Sequence, residues 1–447
     1  MAAPRTGAFA PHPGKPCMRP LLRPLARSVA LALALFALSG GAHADSPAPP
    51  PPAAAPPCAC ADKAGENARS PVTIIVSIDG FRADYLDRGV TPALSRLAAE
   101  GVRARMIPSF PSKTFPNHEA IATGLRPDRS GIVGNRMVDA RRPGDVFTMA
   151  TQDPWWWEES TPIWVAAEKA GIATATMFWP GANLRVLGTY PTDWQQFSKD
   201  ITSRQRIDAV IDWARRPAAN RPKLLVAYLE TVDAAGHAYG PDAPETTQAI
   251  ADVDVQIGRL RDALAAMGQP ANLLVVSDHG MAAIAPERAV PLYKRLAPGL
   301  AEVVEDGPYA TINPLPGQDA ALAAVLLAPQ AHMQCRRKAD LPERLHYGHN
   351  ARVPAFVCLA DMGWIIQGDA PKADAAPVHG GTHGWDNQAP EMRALFLATG
   401  PAFRPGTTLP DFDNVDVEPL LRRLIGLPAH DAAIDGTAAV FAPALAR

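Results

Sequence analysis

Six residues able to hold metal and one hydroxyl able to attack are spread along the chain, and where they fall is more informative than how many there are. Asp79 ends the apolar run "PVTIIVSIDG", and Asp233 and His237 stand four apart in "LETVDAAGH". Asp278 and His279 adjoin in "ANLLVVSDHGM", and His383 lies in "HGGTHGWDN". Singly, each has an ordinary reading: Asp79 could cap a turn, one D-x3-H pair is weak, and the nearby His379 could substitute for His383. Asp278 and His279 are less ordinary. Neighbours on a regular strand face opposite ways, so they share a ligand only where the chain has already turned. Together, three carboxylates and three imidazoles suit zinc, with manganese or iron next, better than calcium or magnesium, which prefer oxygen. Six ligands are too many for one tetrahedral ion and fit two ions of three protein ligands each. Two such ions about 4 Å apart clamp an in-line phosphoryl displacement.

The attacking group is sought in "PSFPSKTFPNHEAIATG", residues 108–124, where Thr114 stands between Lys113 and Phe115. An unaided threonine hydroxyl is a weak nucleophile. A metal at its oxygen lowers its pKa and holds an alkoxide ready to attack.

These residues need a scaffold that brings distant segments to one rim. "PVTIIVSIDG", "IATATMFWPG", "KLLVAYLE" and "ANLLVVSD" read as buried strands, the third leading into a glycine-containing loop that carries Asp233 and His237. "PALSRLAAEGV", "TPIWVAAEKAG", "RIDAVIDWARR" and "AIADVDVQIGRLRDALAAMG" read as helices. Near the end, "ALFLATG" reads as a further core strand and "NVDVEPLLRRLIGL" as a closing helix. This alternation predicts an α/β fold around a largely parallel sheet. In such sheets ligands gather at the carboxyl ends of the strands, where the Asp and His residues fall. Residues 288–378 are less regular and read as an insertion or cap.

The chain has 447 residues, 47% hydrophobic and 20% charged, enough for one large domain. Its N-terminus has the build of a secretory signal peptide over 1–44: Arg19, Arg23 and Arg27, then "SVALALALFALSGG", then a small-residue site ending at Ala44. The apolar run is short for a bilayer span, so no stable membrane anchor is expected; Met18 could serve as the start. Residues 45–70, "DSPAPPPPAAAPPCACADKAGENARS", read as a Pro/Ala-rich linker that cannot build a core. Residues 1–44 carry five basic and no acidic residues, so the remainder has a formal charge of −7. That balance argues against binding nucleic-acid backbones. In an exported protein Cys335 and Cys358 can form one disulfide.

At this point the chain resembles the nucleotide pyrophosphatase/phosphodiesterases (type I phosphodiesterases) of the alkaline phosphatase superfamily, notably bacterial exported members. The resemblance rests on "SIDGFRADYL", "PSFPSKTFPNHEAIATGLRPDRSGIVGN", "FWPG", "YLETVDAAGHAYGP", "VVSDHGM" and "GTHGWDN", in that order. It implies an alkaline-phosphatase-like sandwich over 71–447 and two Zn2+ per chain. Asp233, His237 and His383 would hold the ion that later serves the hydrolytic water; Asp79, Asp278 and His279 would hold the other, with Thr114 as fourth ligand. Thr114 would be the nucleophile, and Asn135 in "GIVGN" would donate to a non-bridging phosphate oxygen. Lys113 could neutralise phosphate, and His118 reads as supporting or packing. Phe115 could stack on a base, with Phe197 or Tyr190 as the opposing aromatic. Trp155, Trp156 and Trp157 line an entrance or pack a loop. The implied substrates are small phosphodiesters and nucleotides, in a periplasm-like compartment. The competing readings are an alkaline-phosphatase-type phosphomonoesterase or a phosphonate hydrolase on the same metal core, and a non-catalytic exported zinc-binding protein.

Overall fold

The computed structural model describes residues 69–371, 378–430 and 432–446. The expected leader and nearly all of the linker lie outside them. Arg69, the first described residue, is docked, donating to Gln269 Oε1 at 2.7 Å and to the Ala214 carbonyl at 2.8 Å.

Nine strands form the central sheet: β1 (Val72–Ile78), β2 (Val102–Ile107), β3 (Thr174–Met177), β4 (Asp193–Trp194), β5 (Leu224–Leu229), β6 (Ala271–Val276), β7 (Ala394–Thr399), β8 (Thr407–Thr408) and β9 (Phe412–Asp413). Their order is β8-β2-β7-β6-β1-β5-β3-β4, with β9 also paired to β2. Only β7 runs against its neighbours, β6 and β2. All seven residues of β1 are buried, because a central parallel strand is covered on both faces. Period-two alternation divides it: Val72, Ile74, Val76 and Ile78 face one core layer and Ile75 the other. The first layer is closed by helices Ser203–Arg215 and Pro244–Ala266, through Ile207, Val210, Ile250 and Ile257. The second is closed by Thr114–Thr123, Ile163–Lys169 and Val417–Ile425, through Ile121, Val165 and Leu420.

Two segments depart from the expectation. Residues 288–378 are not merely irregular: they contain a four-stranded antiparallel sheet ordered Ala301–Glu305, Tyr309–Pro314, Phe356–Ala360, Met333–Arg337. This subdomain has its own core of Leu292, Ile312, Leu322 and Phe356. The Cys335–Cys358 disulfide joins residues that face each other across two of its strands. Thr231–Tyr239 is a helix, not a loop, despite its central Gly236. There a Cβ would lie 2.9 Å from Met281 Cε, so the glycine lets the Met281 side chain pack closely against the helix. Thr114–Thr123 is also helical; Pro116 is tolerated because first-turn N–H groups have no partner inside a helix. No helix among the described residues is long and apolar enough to cross a membrane.

Glu119 lies in that last helix with no exposed surface. Ser160 Oγ donates to its Oε1 at 2.6 Å, but Oε2 has no partner, and burial pushes the carboxyl up to about 8. A folded-state value above the unfolded one means that folding retains the proton. Stability is therefore full below the ordinary glutamate range and falls as pH rises toward 8. Glu119→Gln should raise the melting stability at pH 8 by roughly 2–4 kcal/mol and leave it nearly unchanged at pH 4. Denaturant unfolding at the two pH values measures this, and equal effects at both would refute it.

Candidate active site

The sheet delivers most of the site. Strands β5, β1 and β6 are adjacent and parallel, so their carboxyl ends open on one edge. Asp79 follows β1; Asp278 and His279 follow β6 where the chain has left the strand; helix Thr231–Tyr239 follows β5. On that helix Asp233 and His237 are four apart and therefore share a face. Thr114 is the first residue of its helix. His383 arrives on the loop after Gly380, whose φ is +83°. A Cβ there would stand 2.0 Å from the His237 carbonyl oxygen, so glycine is what lets this loop approach the helix.

All six ligand candidates and the hydroxyl meet. Oδ1 of Asp233 lies 3.3 Å from His237 Nε2 and 3.7 Å from His383 Nε2. His279 Nε2 lies 2.9 Å from Asp278 Oδ2, 3.4 Å from Asp79 Oδ1 and 3.3 Å from Thr114 Oγ1. Two groups have the compactness of a metal site: Asp79 with Asp278 and His279, and Asp233 with His279 and His383. The second differs from the expected trio. His279 stacks on His383, with ring centroids 3.5 Å apart, and so belongs to both groups, whereas His237 lies against Asp233 at the side. His379 is exposed and belongs to neither group.

The donor chemistry fits metal. Each imidazole directs Nδ1 to a backbone carbonyl: His237 to Gly381 at 2.8 Å, His279 to Gly280 at 2.9 Å, His383 to Ser112 at 2.8 Å. A carbonyl can only accept, so Nδ1 carries the proton and Nε2 is left as a lone-pair donor. Asp79 Oδ1, Asp233 Oδ1 and Asp278 Oδ2 are buried without hydrogen-bond partners, while their outer contacts are fixed. Tyr228 donates its hydroxyl to Asp79 Oδ2, and the Gly80 amide donates to Asp278 Oδ1 at 3.2 Å. Burial, then the carboxylates of Asp278 and Asp233, push Asp79 well above the usual range. Burial likewise raises Asp233. Burial works upward on Asp278 too, but His279 and His118 bring it well below. Burial, then the neighbouring His279 and Lys113, lower His383. Three crowded carboxylates with inward lone pairs are a cage for cationic charge.

Beside the cage opens a cavity of about 840 Å³, lined by Asp79, Thr114, Asn135, Asp233, His237 and His383 on its polar side and by Phe115, Trp157, Phe178, Trp179 and Phe197 on its apolar side. Phe115 is braced edge-on by Phe147 at 5.9 Å; Phe197 rests on Phe178 at 5.2 Å. Tyr190 is not brought to the cavity: it stacks on Trp194 at 5.1 Å, outside the lining. The tryptophan triplet splits. Trp157 lines the cavity, Trp156 is buried, and Trp155 packs under the Arg142 guanidinium at 4.1 Å. Lys113 is buried rather than solvated, its Nζ 5.9 Å from the Tyr309 ring centre. His118 accepts no ligand role; it sits behind the cage, 3.4 Å from Asp278 Oδ2 and 2.9 Å from Ser77 Oγ. Sequence reasoning missed Tyr228, which sits inside a uniformly apolar strand and carries no pattern of its own. It also missed the rim amides Gln152, Asn183 and Gln196, linked through the Asn183 side chain.

An α/β sandwich with a carboxylate–imidazole cage at its strand ends and a hydroxyl beside it defines a metal-dependent hydrolase of the alkaline-phosphatase type. Residues 73–386 match the family described as type I phosphodiesterase/nucleotide pyrophosphatase, and the chain belongs to that family. It is an enzyme, and its family is metal-dependent. It is 36% identical over 385 residues to an uncharacterized pyrophosphatase/phosphodiesterase of Schizosaccharomyces pombe, a match covering 82% of this chain and 79% of that protein. It is 34% identical over 372 residues to the bis(5'-adenosyl)-triphosphatase enpp4 of Xenopus laevis, covering 82% and 80%. The solved structure of murine ectonucleotide pyrophosphatase/phosphodiesterase 5, an inactive threonine-to-alanine form in complex with AMP, superposes with a TM-score of 0.79 at 33% identity, covering 84% of this chain and 100% of that one. These relatives are eukaryotic and do not show the expected bacterial origin.

A cage of this charge should depend on its cation for stability. Chelator dialysis at pH 8 is expected to lower the melting temperature by about 5 °C or more, with recovery on adding zinc. A melting temperature indifferent to chelation would contradict the reading of these six side chains as a metal centre.

Proposed function

We propose that this enzyme hydrolyses phosphodiester and pyrophosphate bonds of small nucleotides through a covalent threonyl–phosphoryl intermediate on Thr114, with two zinc ions held by Asp233, His237 and His383 and by Asp79, Asp278, His279 and Thr114. The observation that carries this reading is the Thr114 hydroxyl, 3.3 Å from His279 Nε2 and opening into an aromatic-walled cavity. When bound, zinc supplies Lewis acidity that lowers a hydroxyl's pKa and offsets phosphate charge.

The chain's own residues do the rest. The Phe115 amide donates to Asn135 Oδ1 at 2.9 Å. That fixes the carboxamide so that its NH2 is the end free to donate to a non-bridging phosphate oxygen. Thr114 stands at the positive end of its helix dipole, and the buried Lys113 adds positive charge one residue away. Phe115 and Phe197 offer apolar faces to a nucleobase, which places the attached phosphate at the polar end of the same cavity. Thr114 Oγ1 then forms a bond to phosphorus as the bond to the leaving alcohol or phosphate group breaks. Attack by water breaks the threonyl O–P bond and releases a nucleoside monophosphate. The Xenopus relative's name refers to a bis-adenosyl triphosphate and the murine structure holds AMP, which supports adenine nucleotides among the substrates. Export through the leader expected at 1–44 is part of this proposal.

Zinc-loaded protein should hydrolyse p-nitrophenyl thymidine monophosphate at least about a hundredfold faster than p-nitrophenyl phosphate, since only the diester fills both ends of the cavity. Thr114→Ala should lower turnover at least about a thousandfold while bound zinc, measured by metal analysis, stays near the wild-type level. Preference for the monoester would sink the diesterase assignment; equal loss of metal and turnover would make Thr114 structural.

A further inference from the structure

The loop that presents Asn135 seats Ile132, Val133 and Met137 in the main core, but Asn135 itself lies outside that packing and depends on polar contacts for its position. The loop runs from Gly131, the left-handed cap of a four-residue helix, to Asp139, just past the two-residue strand Met137–Val138. The inserted subdomain adds polar anchors to its backbone. Tyr347 donates its hydroxyl to the Val133 carbonyl at 2.8 Å. Arg352 donates from Nη1 to the Gly131 carbonyl and to the Trp156 carbonyl, each at 2.7 Å, and from Nε to Asp139 Oδ2 at 2.9 Å. Glu305, itself bound by the Tyr309 hydroxyl, faces the backbone on either side of Asn135. A Cβ on Gly134 would be 2.5 Å from Glu305 Oε2, and the Arg136 amide points to the same oxygen at 3.5 Å. Tyr347, Arg352 and Asp139 are all buried.

We infer that the inserted subdomain is a clamp on the Asn135 loop, and that Tyr347, Arg352 and Glu305 are positioning residues for the phosphate-oxygen donor. The inference rests on the reading of Asn135 as that donor. Carbonyls 131 and 133 and the backbone flanking residue 135 are held from one side by the subdomain, while the Asn135 side chain is held from the other by the Phe115 amide. The donor is thus fixed relative to Thr114 through two separate elements. A donor displaced by about 1 Å loses much of its effect on a developing charge, whereas nucleotide binding through the aromatic walls is untouched.

The test is a double-mutant cycle in the zinc-loaded full chain, on p-nitrophenyl thymidine monophosphate. Asn135→Ala should lower kcat about a hundredfold. Tyr347→Phe, which removes one hydroxyl, should lower kcat about five- to tenfold with KM within twofold. In the Asn135→Ala background, Tyr347→Phe should have no further effect, because there is no longer a donor to misplace. Glu305→Gln should behave in the same way and serves where Arg352 variants fail to fold. AMP affinity, read by tryptophan fluorescence, should stay within twofold for Tyr347→Phe and Glu305→Gln. Multiplicative losses in the double variants, or single variants with unchanged kcat, would overturn the clamp while leaving the Asn135 reading standing. Unchanged kcat in Asn135→Ala alone would remove the donor role and the clamp with it.

Discussion

Three carboxylates that repel one another are held within reach of a common point, and the rest of the molecule is built around that constraint. Unfavourable geometry of this kind persists only where the surrounding structure over-determines it. Here β1 is bonded along its length to β5 and β6, so Asp79, Asp278 and the helix bearing Asp233 cannot separate without breaking the centre of the sheet. The outer oxygens of Asp79 and Asp278 are tied by Tyr228 and Gly80, and the three imidazoles are oriented by backbone carbonyls. The inward atoms are then lone pairs with nothing to accept from. Such an arrangement is costly alone and favourable around divalent cations.

The first turn of helix Thr114–Thr123 joins this charged floor to the apolar wall. Within two residues it provides the hydroxyl, the Phe115 ring and the amide that orients Asn135. A nucleotide has the same division, an aromatic base at one end and anionic phosphate at the other. Both halves are presented by one helical turn packed beneath by His118, which bonds to Ser77 and to the Thr114 carbonyl. Much of that helix is buried polar surface, which explains why its apolar periodicity is weak.

What the sequence disclosed follows from that packing. Strands covered on both faces are almost wholly apolar, so Asp79 and Asp278 stood out as the first charged residues after such runs, and the sandwich architecture was legible with them. The helix carrying Asp233 and His237 was not, because Gly236 lowers its propensity and tertiary contact with Met281 overrides that local preference. His383 could not be told from His379 by spacing; the close approach of its loop to the helix, made possible by Gly380, decides it. The antiparallel subdomain was hidden because its strands are short and their exposed faces polar, as in "MQCRR" at Met333–Arg337. Tyr190 and Phe197 have the same residue character in sequence, and their ring partners separate them: Phe178 and Tyr228 for Phe197, Trp194 for Tyr190.

The subdomain also shows where buried charge is used for geometry rather than stability. Arg352 and Asp139 are both about 1% exposed in their side chains, and desolvating two such groups consumes most of what their attraction returns. An apolar pair would hold the subdomain to the sandwich at less cost, but it would not choose a register for the loop between them. A planar guanidinium does: it bonds Asp139, Gly131 and Trp156 at once, and few loop conformations satisfy all three. The same logic applies at the cage, where hydrogen bonds to the outer oxygens select one orientation of each carboxylate. In both places the polar network adds little to stability and instead narrows the set of conformations, which is what a reaction sensitive to ångström displacements of its donors requires.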